Sequence, residues 1–133
     1  MATLIEVTGA VIVRDGTVFA CRRGPGKAQA GKWEFPGGKI ETGETPPESL
    51  ARELKEELLV DARIGDFITR TEFEYDFGTV ALSTYVCFIE RDSNPVLTEH
   101  TDARWVPVQD LRSLDWAPAD IPTVDILMES LGR

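Results

Sequence analysis

The sequence predicts a mixed α/β domain, in which helices pack on the faces of a β-sheet. Two observations support this fold class. Runs of β-branched and apolar residues are interspersed with segments of helical periodicity. Two pairs of these runs are joined by short turns that contain glycine, which is typical of β-hairpins. With 133 residues, 42% of them hydrophobic, we expect residues 1–133 to form a single domain.

The first third of the chain predicts three strands. Residues 4–13 (LIEVTGAVIV) are β-branched and apolar, and residues 14–17 (RDGT) supply an Asp-Gly turn before the next run, VFACRR. A glycine-containing loop at residues 24–32 then leads to a short strand, WEF. This part of the chain is therefore expected to contribute a hairpin and a third strand to the sheet.

A helix is predicted at residues 48–59. Thr45 and Glu48 have the spacing of a capping box, and the two prolines between them suit a first helical turn. At about 100° per residue, one core-facing stripe contains Pro47, Leu50, Ala51, Leu54 and Leu58. We expect this stripe to pack on the sheet.

The second half of the chain predicts another hairpin and a closing helix. FITRTEFEYDF and TVALSTYVCFIE are strand-like runs on either side of Gly78. The elements that follow are a loop at residues 99–102, a short strand (ARWVPV), a helical turn (VQDLRSL) and a final helix at residues 120–131.

The composition excludes some classes of function. The net charge of −9 argues against a protein that binds nucleic acid polymers, which needs a basic surface. No apolar run approaches the roughly 18 residues of a membrane span, and no signal peptide opens the chain. We therefore expect a cytoplasmic protein without membrane attachment, in which Cys21 and Cys87 are buried free thiols. The choice between a monomer and a homodimer stays open.

Three glutamates of the predicted helix lie close together. Glu53, Glu56 and Glu57 share an arc that flanks the apolar stripe, and Arg52 is placed to hold Glu56 four residues later. A solvated acidic face is one interpretation of such a charge run. A cation site is the other, because Mg²⁺ binds clustered carboxylates together with water and substrate phosphate.

These acids belong to a longer pattern. Gly38 is followed after five residues by Glu44, and Glu44 after seven residues by the run RELKEE at 52–57. The pattern resembles the box of the Nudix hydrolase family, G-x5-E-x7-R-E-U-x-E-E-x-G-U, where U is aliphatic. Leu59 stands where the box has a glycine, whose left-handed conformation would end the helix. We expect this departure to affect the helix end more than the chemistry, since the acids and the arginine are present.

Two further segments extend the resemblance. RRGPGKAQAGKWEFPGGKIETGE and WAPADIP are similar to the MutT and CTP pyrophosphohydrolase branch of the family. The resemblance implies a Nudix-type α/β/α sandwich around a mixed β-sheet. It also implies hydrolysis of a nucleoside triphosphate to a nucleoside monophosphate and pyrophosphate, with Mg²⁺ as the cofactor and Mn²⁺ as a substitute.

By position, the resemblance assigns metal-binding and catalytic roles to several residues. Those that match metal ligands of the branch are Gly37 (through its carbonyl), Glu53, Glu56, Glu57 and Glu99. Glu53 is the first candidate for the base that takes a proton from the attacking water, and Glu57 is the alternative. Arg52 and Glu44 complete the catalytic group, with Glu44 as a support for the metal site. From spacing alone, Glu99 is equally an ordinary loop acid.

The resemblance also implies phosphate contacts. Arg23 matches such a contact in the branch. Arg22 is expected on the surface, because the two arginines end a strand and face opposite sides. Lys39 is a second candidate, for which simple solvation is the alternative.

Phe35 and Asp120 are the candidates for base recognition. Phe35 suits a base platform and a core position equally, whereas Trp33 on the same face is expected in the core. Asp120 lines the base pocket by resemblance, or caps the final helix. An ionised aspartate only accepts hydrogen bonds and favours the exocyclic amine of cytosine, whereas a protonated one also donates. His100 is either a pocket residue or a solvated loop residue, and we expect the latter.

The expected substrates are cytidine-type nucleotides (CTP, dCTP, 5-methyl-dCTP), oxidised nucleotides such as 8-oxo-dGTP, or both. One alternative is a Nudix hydrolase of nucleotide sugars or dinucleotides, whose members often have longer chains. The other is a non-catalytic nucleotide-binding Nudix domain, whose members typically lose box acids. Here Arg52, Glu53, Glu56 and Glu57 are all present.

Overall fold

The computed structural model describes residues 3–130 of the chain. The strands found there are β1 (Leu4–Arg14), β2 (Thr17–Arg22), β3 (Trp33–Glu34), β4 (Gly37–Lys39), β5 (Ala62–Tyr75), β6 (Gly78–Ile89) and β7 (Asp102–Pro107). The helices are α1 (Pro46–Leu58) and α2 (Ile121–Ser130), with two 3-10 helices at Val108–Ser113 and Pro118–Asp120. The predicted end of the final helix at Leu131 lies outside the described residues.

β1 is the central strand of a mixed sheet with the strand order β3-β2-β1-β6-β5. It runs parallel to β6 and antiparallel to β2 and β4, and β7 pairs with β2. On the edge opposite β6, β1 changes partner along its length. Residues 7–9 pair with β4, and residues 13–14 pair with β2. The first half of β1 thereby holds the Gly37-Gly38 pair of β4 in place.

Alternate residues of β1 face different helices. Ala10 and Ile12 belong to a buried cluster that includes Leu50, Leu54 and Leu58 of α1. On the other face of the sheet, a second cluster contains Val11, Phe35, Trp116, Val124 and Leu127. Because α2 supplies the last two of these, the sheet lies between the two helices. The α/β/α sandwich with a mixed sheet that the sequence predicted is confirmed.

Both ends of α1 are defined by specific contacts. At its start the capping box is formed, with Glu48 N donating to Thr45 Oγ1 at 3.2 Å and Thr45 N donating to Glu48 Oε1 at 2.8 Å. The predicted core position of Pro47 is wrong, because Pro47 is exposed. On the opposite side of this first turn, Ser49 is buried and donates to Lys39 O at 3.2 Å, so the helix packs on β4 there.

Leu59 ends α1 in the left-handed conformation that the family's glycine would adopt. Its φ and ψ angles are 57° and 37°, and its N–H bonds to Leu54 O. A side chain with a Cβ adopts this conformation at a cost of about 1–2 kcal/mol. The helix terminus is therefore preserved without the glycine, at a residue whose side chain is 57% exposed.

The two hairpins are found where the sequence predicts them. Asp15 and Gly16 have φ angles of 50° and 77°, as a tight turn between β1 and β2 requires. β5 and β6 meet at residues 76–77 and pair along most of their length. Cys21 and Cys87 are buried and free. Within residues 3–130, no helix is long and apolar enough to cross a membrane.

Candidate active site

One cavity of about 810 Å³ collects most of the predicted site residues. It lies between β1, β4, α1, the loop at residues 24–32 and the chain before α2. The predicted residues that line it are Arg23, Phe35, Gly37, Lys39, Glu53, Glu56, Glu57, Glu99 and Asp120. Arg52 and Glu44 are outside this lining; Arg52 donates to the lining residues Glu53 and Glu56, and Glu44 accepts from Arg52. The predicted set is thus brought together although it comes from separate segments of the chain.

Glu53 packs directly against β4. A Cβ on Gly38 would stand 2.4 Å from Glu53 Cδ, so only glycine leaves room for this carboxylate. Arg52 Nη1 donates to Glu53 Oε1 at 2.9 Å. The carboxylate is therefore fixed between the backbone of β4 and a guanidinium, at the edge of the cavity.

Glu57 is a strongly perturbed acid of the cavity. Burial, hydrogen bonds with Glu53 and Glu99, and the charges of these neighbours raise the pKa of Glu57 to about 9. Carboxylates that approach one another in this way need a shared proton or a cation between them. Their oxygens are the donors that Mg²⁺ prefers, so the residues present fit this metal.

The acids do not form a finished coordination shell. Within the described part of the chain, no three His, Cys, Asp or Glu side chains are already placed to hold one metal ion. Mg²⁺ is usually bound by one or two carboxylates and completes its shell with water and substrate phosphate.

Arg52 connects the acids of α1 with those of the preceding loop. Its Nε and Nη2 donate to the two oxygens of Glu44 at 2.6 and 3.0 Å. The predicted contact with Glu56 is present at 3.2 Å, and it is longer than the contacts with Glu44 and Glu53. The hydrogen bonds from Arg52 lower the pKa of Glu44 to about 2. Glu44 thus stays ionised and holds the guanidinium that holds Glu53.

Arg23 is one of the cations that line the cavity. It follows the end of β2, donates from Nε to Ala28 O at 2.6 Å, and forms an ion pair with Glu34 at 2.6 Å. Arg22 is exposed and lies outside the cavity lining, as expected. Lys39 lines the cavity with an exposed side chain. Lys27, which the sequence analysis did not single out, lines it as well.

Asp120 closes the inner end of the cavity. Its side chain is 5% exposed and accepts a hydrogen bond from Phe35 N at 3.2 Å, so it ties the chain before α2 to β3. Burial, followed by the charge of Glu34, raises the pKa of Asp120 well above its usual value. The buried environment therefore favours the protonated form of Asp120, and in that form one of its oxygens can donate.

Aromatic side chains surround this inner end. Phe35 is buried and its ring lies 4.7 Å from that of Trp116, whereas Trp33 is part of the core and outside the cavity lining. Tyr75 and Phe77 also line the cavity, and the Tyr75 hydroxyl accepts a hydrogen bond from Ala119 N at 3.0 Å. The sequence analysis missed these two, although FEYDF places aromatic residues at alternate positions beside a turn.

The expectation for His100 is wrong. Its side chain is 6% exposed and its Nε2 lies 2.9 Å from Glu34 Oε2, a residue 66 positions away in the sequence. The loop before β7 folds back onto β3, so a residue expected in solvent is buried in the cavity wall. Glu34, to which the sequence analysis gave no function, bridges His100 and Arg23.

Comparison with known proteins agrees with this geometry. The family model for the NUDIX domain matches residues 4–125. The chain is 34% identical over 127 residues to the CTP pyrophosphohydrolase of Escherichia coli, covering 94% of this chain and 92% of that protein. It is 31% identical over 125 residues to the 8-oxo-dGTP diphosphatase of E. coli, covering 93% and 95%.

A solved structure shows the same fold at a higher identity. The solution NMR structure of a MutT protein of the Nudix hydrolase family, from methicillin-resistant Staphylococcus aureus 252, is 43% identical to this chain. The match has a TM-score of 0.80 and covers 97% of this chain and 98% of that one. The chain therefore belongs to the Nudix hydrolase family, among its MutT-like enzymes.

Proposed function

We propose that the chain is a Mg²⁺-dependent nucleoside triphosphate pyrophosphohydrolase, which converts a nucleoside triphosphate and water to a nucleoside monophosphate and pyrophosphate. The observation that carries this proposal is the make-up of the cavity wall. Carboxylates of α1, Glu99 and the cations Arg23 and Lys39 line the same cavity, and Asp120 closes an aromatic inner end. A triphosphate with its metal can thus contact both acids and cations while its base enters the inner end.

The metal would be held by the carbonyl of Gly37 together with acids of the cavity. The proposed acidic ligands are Glu53, Glu56, Glu57 and Glu99. When bound, Mg²⁺ neutralises charge on the phosphate oxygens and acidifies water, and Mn²⁺ is a substitute for it. Burial, together with the neighbouring Glu53 and Glu99, raises the pKa of Glu57, and a cation here would offset both the burial of its charge and the repulsion between these carboxylates.

The remaining chemistry is assigned to side chains of the protein. Glu53 takes a proton from the attacking water, with Glu57 as the alternative base. The water oxygen forms a bond to phosphorus, the phosphoanhydride bond breaks, and pyrophosphate leaves. Arg52 and Glu44 keep the Glu53 carboxylate in place throughout, through the contacts at 2.9 and 2.6 Å. Arg23 and Lys39 position the phosphates.

Asp120 is proposed to read the base. A protonated Asp120 presents one donor and one acceptor, and its Oδ1 is already used by Phe35 N. It can accept from the exocyclic amine of cytosine when ionised, or donate to a carbonyl oxygen of an oxidised purine when protonated. The proposed substrates are CTP, dCTP, 5-methyl-dCTP or 8-oxo-dGTP. The cytidine nucleotides are ranked first because an exocyclic amine that donates to Asp120 would stabilise its ionised form.

Pyrophosphate release from a nucleotide panel tests the proposal. The panel contains the four proposed substrates, dGTP as an undamaged control, a nucleotide sugar and a dinucleotide, each with Mg²⁺ and with EDTA. Mg²⁺-dependent release from one or more triphosphates is expected. Turnover of only the nucleotide sugar or the dinucleotide would support the alternative hydrolase. Binding without turnover of any nucleotide would support a non-catalytic domain. A kcat/KM at least about tenfold higher for 8-oxo-dGTP than for every cytidine nucleotide would reverse the ranking.

A further inference from the structure

A chain of three polar side chains runs along one wall of the cavity. Arg23 donates from Nη1 to Glu34 Oε1 at 2.6 Å, and the other oxygen of Glu34 lies 2.9 Å from His100 Nε2. Arg23 follows β2, Glu34 is in β3 and His100 precedes β7. All three line the cavity. Three segments that are distant in the sequence are thus connected by one carboxylate.

The contact between Glu34 and His100 is largely removed from water. Their side chains are 19% and 6% exposed. Because a carboxylate only accepts hydrogen bonds, the His100 nitrogen that faces Glu34 is the donor. The other ring nitrogen, Nδ1, is buried without a hydrogen-bond partner among the described residues. Such an orphaned nitrogen costs stability, so its retention favours a function for the contact that His100 makes through Nε2.

The orientation of Arg23 depends on this carboxylate. Nε of Arg23 is bound by Ala28 O and Nη1 by Glu34, and within residues 3–130 the structure gives Nη2 no protein partner. The planar guanidinium is therefore held on two sides, and its third nitrogen remains available to a phosphate oxygen. If Glu34 rotated, one of these two bonds would be lost.

We infer that His100 is a positioning residue, which acts through Glu34 to hold Arg23 in the orientation that binds the phosphates of the substrate. This inference rests on the proposed function, because it takes Arg23 as a phosphate contact. His100 donates to one oxygen of Glu34 and leaves the other oxygen for Arg23. A loosened Arg23 weakens the binding of substrate and transition state alike, so the effect falls on KM and spares kcat.

The inference is tested by the steady-state kinetics of His100→Phe and His100→Gln. The substrate is the nucleotide of the panel with the highest kcat/KM for the wild type. Phenylalanine keeps the ring and removes both nitrogens, whereas glutamine restores one donor. We expect the KM of His100→Phe to rise about tenfold and its kcat to change less than about threefold. The KM of His100→Gln is expected within about threefold of the wild-type value. If the phenylalanine variant does not fold, His100→Ala is expected to show the same rise.

Two further variants separate positioning from a general loosening of the loop. Glu34→Gln combined with His100→Phe is expected to have the KM of Glu34→Gln alone, since His100 acts through Glu34. Arg14→Leu is the matched control, because Arg14 holds the other end of the same loop through Glu90 O and Ser93 O at 2.8 and 2.6 Å. Its KM is expected to be that of the wild type. A rise in KM for Arg14→Leu, a loss confined to kcat in His100→Phe, or additivity with Glu34→Gln would overturn the inference.

Binding measurements distinguish a failure of this inference from a failure of the proposed function. The probe is a CTP analogue with a methylene group between the α and β phosphorus atoms, titrated in a calorimeter with Mg²⁺. About tenfold weaker binding by His100→Phe than by the wild type supports the inference even if no nucleotide is hydrolysed. Equal affinity of the two overturns it even in an active enzyme. No binding by the wild type overturns both.

Discussion

Replacement of Leu59 by glycine tests how α1 ends. Leu59 adopts φ 57° and ψ 37°, which costs a residue with a Cβ about 1–2 kcal/mol. Glycine avoids this cost, but its freedom in the unfolded chain opposes folding by about 0.5–1 kcal/mol. Leu59→Ala is the matched control, because both variants lose the same partly exposed side chain and differ only in the Cβ. We therefore expect Leu59→Gly to exceed Leu59→Ala by about 0.5–1 kcal/mol in free energy of unfolding.

Urea denaturation at constant pH measures this difference, provided that the two variants have the same m value. In thermal unfolding it corresponds to a melting temperature about 2–5 °C higher for the glycine variant. Equal stability of the two variants, or a more stable alanine variant, would refute the left-handed account of the helix end. Leu59 lies outside the cavity lining, so kcat is expected to stay within about twofold of the wild type. A large change in kcat would show that this position affects the chemistry.

Three further changes probe the site. Gly38→Ala is expected to lower kcat at least about tenfold while the protein stays folded, because the new Cβ displaces the flexible Glu53 carboxylate; near-normal kcat would contradict this placement. Arg52→Lys keeps the charge but loses the bidentate contact with Glu44, so kcat is expected to fall with KM little changed. A raised KM with unchanged kcat would contradict the proposed role of Arg52. The pKa of Asp120 is raised in the folded protein above its usual 3.8, so its protonated form adds stability that is lost as pH rises through the folded pKa. In urea denaturation, Asp120→Asn is therefore expected to gain stability relative to the wild type as pH rises from about 4 toward the folded pKa of Asp120, and a stability difference independent of pH would contradict the raised pKa.

Local features of the sequence predict much of this molecule. The capping box of Thr45 and Glu48 predicts the start of α1, and the Asp-Gly turn predicts the first hairpin, because both depend on residues that are neighbours in the chain. The grouping of Glu53, Glu56 and Glu57 follows in the same way from the period of one helix. These features are formed in the structure largely as expected.

Contacts between distant segments could not be predicted in this way. His100 looks like a solvated loop residue until the loop is folded onto Glu34, which lies 66 positions earlier. The raised pKa of Asp120 depends on the burial of its side chain, which the chain composition does not reveal. The core position predicted for Pro47 is wrong because the helical period describes α1 alone. The side of the first turn that is buried is determined by packing on β4, which Ser49 contacts. In each case a tertiary contact determines the environment of the residue.

The proposed chemistry is tested most directly by the Mg²⁺-dependent release of pyrophosphate by the wild type, Glu53→Gln and Glu48→Gln, each with the best nucleotide of the panel. Glu48 is the matched control on the same helix, since glutamine can keep its capping contact with Thr45 N. The account predicts monophosphate and pyrophosphate as products, no release with EDTA, and near-normal kcat for Glu48→Gln. For Glu53→Gln it predicts a kcat at least about a hundredfold lower in a protein with an unchanged melting temperature. Near-normal kcat for Glu53→Gln, or no pyrophosphate release by the wild type from any nucleotide with Mg²⁺, would contradict the account.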